Sequence, residues 1–156
     1  LLIRLGLGIT AAVVALDQSG KWVVLAGVGA PPRIIPVLPF FNLVLVWNRG
    51  VSFGMFGGGA VPAWAFVLLA AAIVGLLLFW LRRAELRWSA VAIGLVIGGA
   101  VGNVIDRLVH GAVVDFLDFH LAGYHWPAFN LADSAITVGV VMLLAESLFP
   151  RRVTVR

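Results

Sequence analysis

The chain reads as an all-α integral membrane protein: four transmembrane helices with a small antiparallel β-sheet on their outward side. Three observations predict this. Apolar residues make up 62% of the 156 residues and charged residues 12%, roughly half the ~25% charged share of soluble domains. Mean hydropathy is +1.09, and a soluble fold with so little charge would expose large apolar patches and aggregate. The apolar residues also gather into four windows, each close to the roughly 20 residues that one bilayer crossing needs.

Those windows place spans at about 1–26, 61–81, 88–109 and 131–149, within one domain covering 1–156. Basic residues set the orientation. If the spans alternate, Arg4, Arg82, Arg83, Arg87, Arg151, Arg152 and Arg156 share one side, while Lys21, Arg33, Arg49 and Arg107 fall on or near the other. This bias puts both termini in the cytoplasm, so segments 27–60 and 110–130 face outward together. The first window has the basic start and the small-residue end (Ala26 to Ala30) of a cleaved leader. Asp17 and Lys21 inside it argue for a retained helix instead, since its loss would invert the arginine pattern. The chain opens on Leu1, and a few residues are expected to precede it.

The outward segment 27–60 carries the expected sheet. Pro31, Pro32, Pro36 and Pro39 hold its start extended. Phe40 to Trp47 is rich in β-branched and aromatic residues, as strands are. Asn48-Arg49-Gly50 suits a turn, and Val51, Phe53 and Met55 alternate with Ser52 and Gly54 as a returning strand would. Gly57 to Gly59 leads flexibly into the second span. In the third span Gly94, Gly98 and Gly102 recur every four residues, which predicts close approach of another helix.

Other classes are excluded by composition. The chain has no cysteine, so it has no disulfide framework and no thiolate chemistry. His110, His120 and His125 match no metal-ligand spacing, and neither a metal nor a cofactor is expected. The net charge of +4 punctuates apolar runs instead of forming a stripe, so no nucleic acid is expected as partner.

Charge inside a membrane is costly and points to function. Of the seven acids, only Glu85 and Glu146 lie toward the cytoplasmic side. Asp17 is read as ending the first helix, Asp106, Asp115 and Asp118 lie at and beyond the end of the third, and Asp133 opens the fourth. Asn130 is a good N-cap with Asp133 three residues on. Asp133 either caps the helix or uses its positive end, which favours the carboxylate form that suits a base. Asp115, flanked by Val114 and Phe116, should have a raised pKa in a partly dry setting. Asp118 fits a solvated loop better. Two carboxylates in one low-dielectric site share a proton, which is the aspartic-protease arrangement. Asn103 and Asp106 share a face of the third helix. Asp106 is expected to neutralise Arg107 or a backbone group, and Asn103 and Arg107 have donors suited to peptide carbonyls. Asp17 and Lys21, four apart, read as an ion pair closing the first helix.

Five stretches, running in order along most of the chain, resemble bacterial lipoprotein signal peptidases. These are Asp17-Gln18 with Lys21, Asn48-Arg49-Gly50-Val51-Ser52-Phe53-Gly54, Gly98 through Arg107, Val113-Val114-Asp115-Phe116, and Pro127 through Asp133. The resemblance implies that Asp115 and Asp133 are the catalytic pair. It implies that Asn48, Gly50, Asn103, Arg107 and Asn130 line or shape the substrate site, and that Asp17, Lys21 and Asp106 are structural. Gly20 departs from the pattern, where Thr or Ser usually precedes the lysine. The implied substrate is a diacylglyceryl-prolipoprotein, cut on the N-terminal side of its lipid-modified cysteine. The implied setting is a monomer among lipids of the bacterial inner membrane, its site near the periplasmic face and its outward sheet, with Trp47, Phe53 and Met55, resting on the bilayer. Two other classes stay open on the residues alone. A small proton-coupled transporter or channel subunit would set its aspartates at mid-membrane depth, whereas these lie at span ends. A non-enzymatic scaffold leaves the one-sided Asp and Asn unexplained.

Overall fold

The computed structural model describes residues 1–28, 34–50 and 62–148. In chain order the elements are α1 (Leu2–Val28), β1 (Ile35–Leu38), β2 (Phe41–Asn48), α2 (Ala63–Arg82), α3 (Arg87–His110), β3 (Val113–Leu121), β4 (Tyr124–His125) and α4 (Leu131–Leu148). All four helices are long and apolar enough to cross a membrane, and they fall where the hydropathy windows predict.

α3 is the hub of the bundle and packs against α1, α2 and α4. It is 61% buried inside the protein, against 11–17% for the other three, whose remaining apolar surface is left for lipid. Its glycines explain why it can sit there. A Cβ added at Gly94 would come 2.5 Å from the Gly6 carbonyl oxygen, and one at Gly98 would come 2.7 Å from Val13 Cβ, so the predicted stripe faces α1. A second small face was not foreseen. A Cβ at Gly99 would collide with the Ala132 carbonyl oxygen, and one at Gly139 of α4 would come 2.6 Å from the Ala92 carbonyl oxygen. Backbones meet on both sides of α3, as small residues allow.

The first helix differs from expectation. Asp17 and Lys21 do not end it; α1 continues to Val28 and is about 40 Å long at 1.5 Å per residue. The charges do not break the helix because neighbouring elements satisfy them laterally, and Trp22 to Leu25 continue the apolar sequence.

Among the described residues the sheet has four antiparallel strands in the order β1-β2-β3-β4. Pro39 and Phe40 turn β1 into β2. Ala122 and Gly123, with φ of 51° and 84°, turn β3 into β4, and two positive φ values are what a two-residue hairpin requires. β2 coincides with the predicted Phe40–Trp47 strand. Its expected partner around Val51 to Met55 lies outside the described residues, as do Gly57 to Gly59. β2 is instead flanked by β1 on one edge and β3 on the other. Half of this sheet therefore comes from segment 110–130, where no strand was expected. β3 is buried on both faces along most of its length, so it lacks the apolar–polar alternation that marks a half-buried strand. Val114 and Phe116 pack against Val24 of α1, fixing the sheet to the bundle.

Candidate active site

Four elements converge where α3 ends, β3 begins and α4 starts. Gly111, left-handed with φ 70°, closes α3, and its amide donates to the Arg107 carbonyl. The chain can then reverse at once into β3 and carry Asp115 back over the end of the bundle. α4 opens with a reciprocal capping box. The Asp133 amide donates to Asn130 Oδ1 at 2.9 Å, and the Asn130 amide donates to Asp133 Oδ2 at 3.3 Å.

Two amide side chains join the two aspartates. Asn130 Nδ2 donates to Asp115 Oδ1 at 2.8 Å and to Asn103 Oδ1 at 3.2 Å. Asn103 Nδ2 donates to Asp133 Oδ1 at 2.8 Å. Asn48 Nδ2, from the end of β2, donates to the other Asp115 oxygen at 2.9 Å. Asp115 and Asn130 are both buried. Burial pushes the Asp115 carboxyl up to about 7, and the nearby charge of Asp133 adds to this. Hydrogen bonds from Asn48 and Asn130 and the charge of Lys21 act in the opposite direction. Arg107 holds the flank: Nη2 donates to the Gly50 carbonyl at 3.0 Å, while the Gly50 amide donates to Asn48 Oδ1. The turn at Asn48-Arg49-Gly50 is thereby tied to α3.

A second charged group lies directly behind this one. Lys21 Nζ, 2% exposed, sits 2.8 Å from both Asp17 Oδ2 and Asp106 Oδ2 and donates to Asn103 Oδ1 at 3.3 Å. Asp17 Oδ1 accepts the Ala132 amide at 2.9 Å, and Asp106 Oδ2 accepts the Val114 amide at 3.0 Å. Gln18 Nε2 donates to Asp17, Asp106 and the Gly102 carbonyl. Every buried donor or acceptor among the described side chains has a partner. Asp106 thus pairs with Lys21 and not with Arg107 as expected, because helix spacing turns adjacent residues to different faces; its backbone partner, at Val114, was anticipated in kind. Gln18 was not singled out for a role, although an amide inside a span was a usable signal.

Asp118 also departs from expectation. It is buried, not solvated, because Asn42 Nδ2 and His125 Nδ1 each approach its carboxylate at 2.8 Å. Burial pushes its pKa up, but the hydrogen bonds from His125 and Asn42 win, leaving it below the usual carboxylate range. Beside Asp133 a cavity of about 510 Å³ opens against Trp126, Phe129, Ser134, Thr137 and Val138. Among the described residues no group of three or more His, Asp or Glu side chains is arranged to hold a metal ion.

A family model described as signal peptidase (SPase) II matches residues 9–149. The chain belongs to the signal peptidase II family. Curated relatives agree. The lipoprotein signal peptidases of Paraburkholderia phymatum and Burkholderia mallei are each 46% identical over 144 residues, covering 91% of this chain and 86% of theirs. That of Burkholderia thailandensis is 46% identical over 146 residues, with the same shares covered. Two solved structures of a bacterial membrane enzyme, determined by the in meso method, are 31% identical. The 2.3 Å structure superposes with a TM-score of 0.80, covering 97% of this chain and 94% of that one. The 1.9 Å structure gives 0.81, covering 94% of both. As a signal peptidase II, the chain is an aspartic-type hydrolase and a multi-pass inner-membrane protein.

Proposed function

We propose that this signal peptidase cleaves diacylglyceryl-prolipoproteins on the N-terminal side of the lipid-modified cysteine, with Asp115 and Asp133 as the catalytic pair. One observation carries the reading: the buried Asp115 and the half-buried Asp133 are held in a single network by the Asn130 and Asn103 amides. Like charges in a dry site cannot both ionise cheaply, so the pair keeps one proton and titrates as a unit. One aspartate takes a proton from the attacking water, while the other protonates the scissile carbonyl oxygen. The tetrahedral intermediate then collapses as the amine leaves with a proton from the pair.

The remaining site residues follow from their positions. Asn48, Asn103 and Asn130 orient the carboxylates, and Arg107 with Gly50 shapes the flank where a peptide backbone would lie. Asp17, Lys21 and Asp106 hold α1, α3, β3 and the start of α4 in register. The cavity beside Asp133 is bounded by Trp126, Phe129 and Val138, walls that suit an apolar segment arriving from the membrane. The sheet is assigned to the periplasmic face and both termini to the cytoplasm, on the distribution of arginine. The protein acts as a monomer among lipids.

Cleavage of a lipidated reporter by purified protein in detergent, with a chelator present, tests the function. Release of the signal peptide is expected. Failure to cleave under conditions that keep the protein folded would favour a transporter or scaffold.

A further inference from the structure

The histidines of β3 and β4 form a cluster that the peptidase chemistry does not use. His120 and His125 are direct cross-strand partners. Their rings stack with centroids 4.9 Å apart and planes 24° apart. Asp118, on β3, accepts from His125 Nδ1 at 2.8 and 3.0 Å, and Asn42 Nδ2 from β2 steadies the same carboxylate at 2.8 Å. The Asp118 side chain is 9% exposed, whereas that of His125 is 56% exposed.

A buried carboxylate accepting from Nδ1 orients the His125 ring and leaves the other nitrogen, Nε2, on the side away from that carboxylate. Metal-binding histidines are oriented in this way, with the non-ligating N–H given to a carboxylate. The geometry points to a two-histidine site for a late divalent transition metal, Cu²⁺ above all, formed by His120 and His125 with Asp118 and Asn42 behind them. Imidazole suits copper, nickel and zinc, and affinity for copper exceeds that for the others. Metal–nitrogen bonds of about 2.0–2.1 Å place two ligating nitrogens roughly 3 Å apart, a spacing that rings with centroids 4.9 Å apart can reach by rotation of His120 while His125 keeps its bond to Asp118. Water completes the coordination.

The position gives such a site a consequence. β3 carries Asp115, and the segment after β4 runs through Phe129, whose amide and carbonyl bond to Leu117, to Asn130. A metal spanning β3 and β4 would brace the loop that delivers Asn130 to the two aspartates.

Tag-free protein, stripped with chelator and titrated with CuCl₂ by calorimetry in a non-coordinating buffer, decides the matter. One ion per chain is expected. His120→Ala and His125→Ala should each abolish binding, and Asp118→Asn should weaken it about tenfold. His110→Ala, whose ring lies instead against Trp47, should leave it unchanged. No binding, or stoichiometric binding that survives both alanine variants, would overturn the site. Should the variants not fold, Cu²⁺ paramagnetic resonance of the unaltered protein decides it: coupling to two imidazole nitrogens is required, and its absence sinks the assignment.

Discussion

Asp115 illustrates how one side chain takes its chemistry from its surroundings. Its carboxyl titrates near 7 because burial disfavours the charge. Loss of the shared proton above that point leaves both aspartates ionised, so cleavage should fall about tenfold per pH unit above about 7. A pH–rate profile measured with the lipidated reporter checks this. Linkage also makes a prediction about stability. Asp115 binds its proton more tightly folded than unfolded, where 3.8 is the reference value. The resulting stabilisation is complete below about 3.8 and is lost as pH rises through about 7. Asp115→Asn should therefore narrow the difference in Tm between pH 5 and pH 8. Asp115→Asn and Asp133→Asn should each lower turnover by about a hundredfold to ten-thousandfold while leaving a folded protein. Near-normal turnover in either variant would remove that residue from the mechanism. Asp106→Asn should behave differently. It weakens the bonds from Lys21 and the Val114 amide while Lys21 keeps Asp17, a loss of about 1–3 kcal/mol, so thermal unfolding should change more than turnover per folded molecule.

At the level of elements, the helices depend on close backbone contact more than on long side chains. Gly98→Leu would drive a side chain into Val13 and Thr10, and overpacking of this kind costs about 1–3 kcal/mol or more. Its Tm in detergent should fall. Gly75→Ala meets nothing within 4 Å and should be neutral or stabilising by up to about 1 kcal/mol. The glycine stripe facing α1 was legible because its spacing matches one helix face. Gly99 was not, because a lone glycine carries no period. β3 was missed for a related reason: packed on both sides and interrupted by Asp115 and Asp118, it shows neither strand alternation nor a pure apolar run. Asp118 was taken for a loop residue because nothing local announces Asn42, 76 positions away.

Over the whole molecule, the four crossings could be read from hydropathy alone, since a bilayer selects strongly for uninterrupted apolar length. The two aspartates proposed for catalysis, Asp115 and Asp133, stood out as residue types beside span ends. The amides linking the pair were not, because they depend on how α3, β3 and α4 meet. Topology has a direct test. The chain has no cysteine, so single cysteines report cleanly. Tyr124→Cys, 85% exposed at the tip of the sheet, should react with a membrane-impermeant maleimide in intact spheroplasts. Glu85→Cys, between α2 and α3, should react only after lysis. The reverse pattern would invert the assigned orientation.

The bond from Asp17 to the Ala132 amide joins α1 to α4. Synthesis runs from the amino end, so Asp17 enters the lipid well before Ala132 leaves the ribosome. Until then the nascent chain lacks half of its acid pair and the anchor that seats it. On the proposed assignment, a copy that stops short of α4 should therefore be inert, with hydrolytic competence arriving only once α4 has inserted.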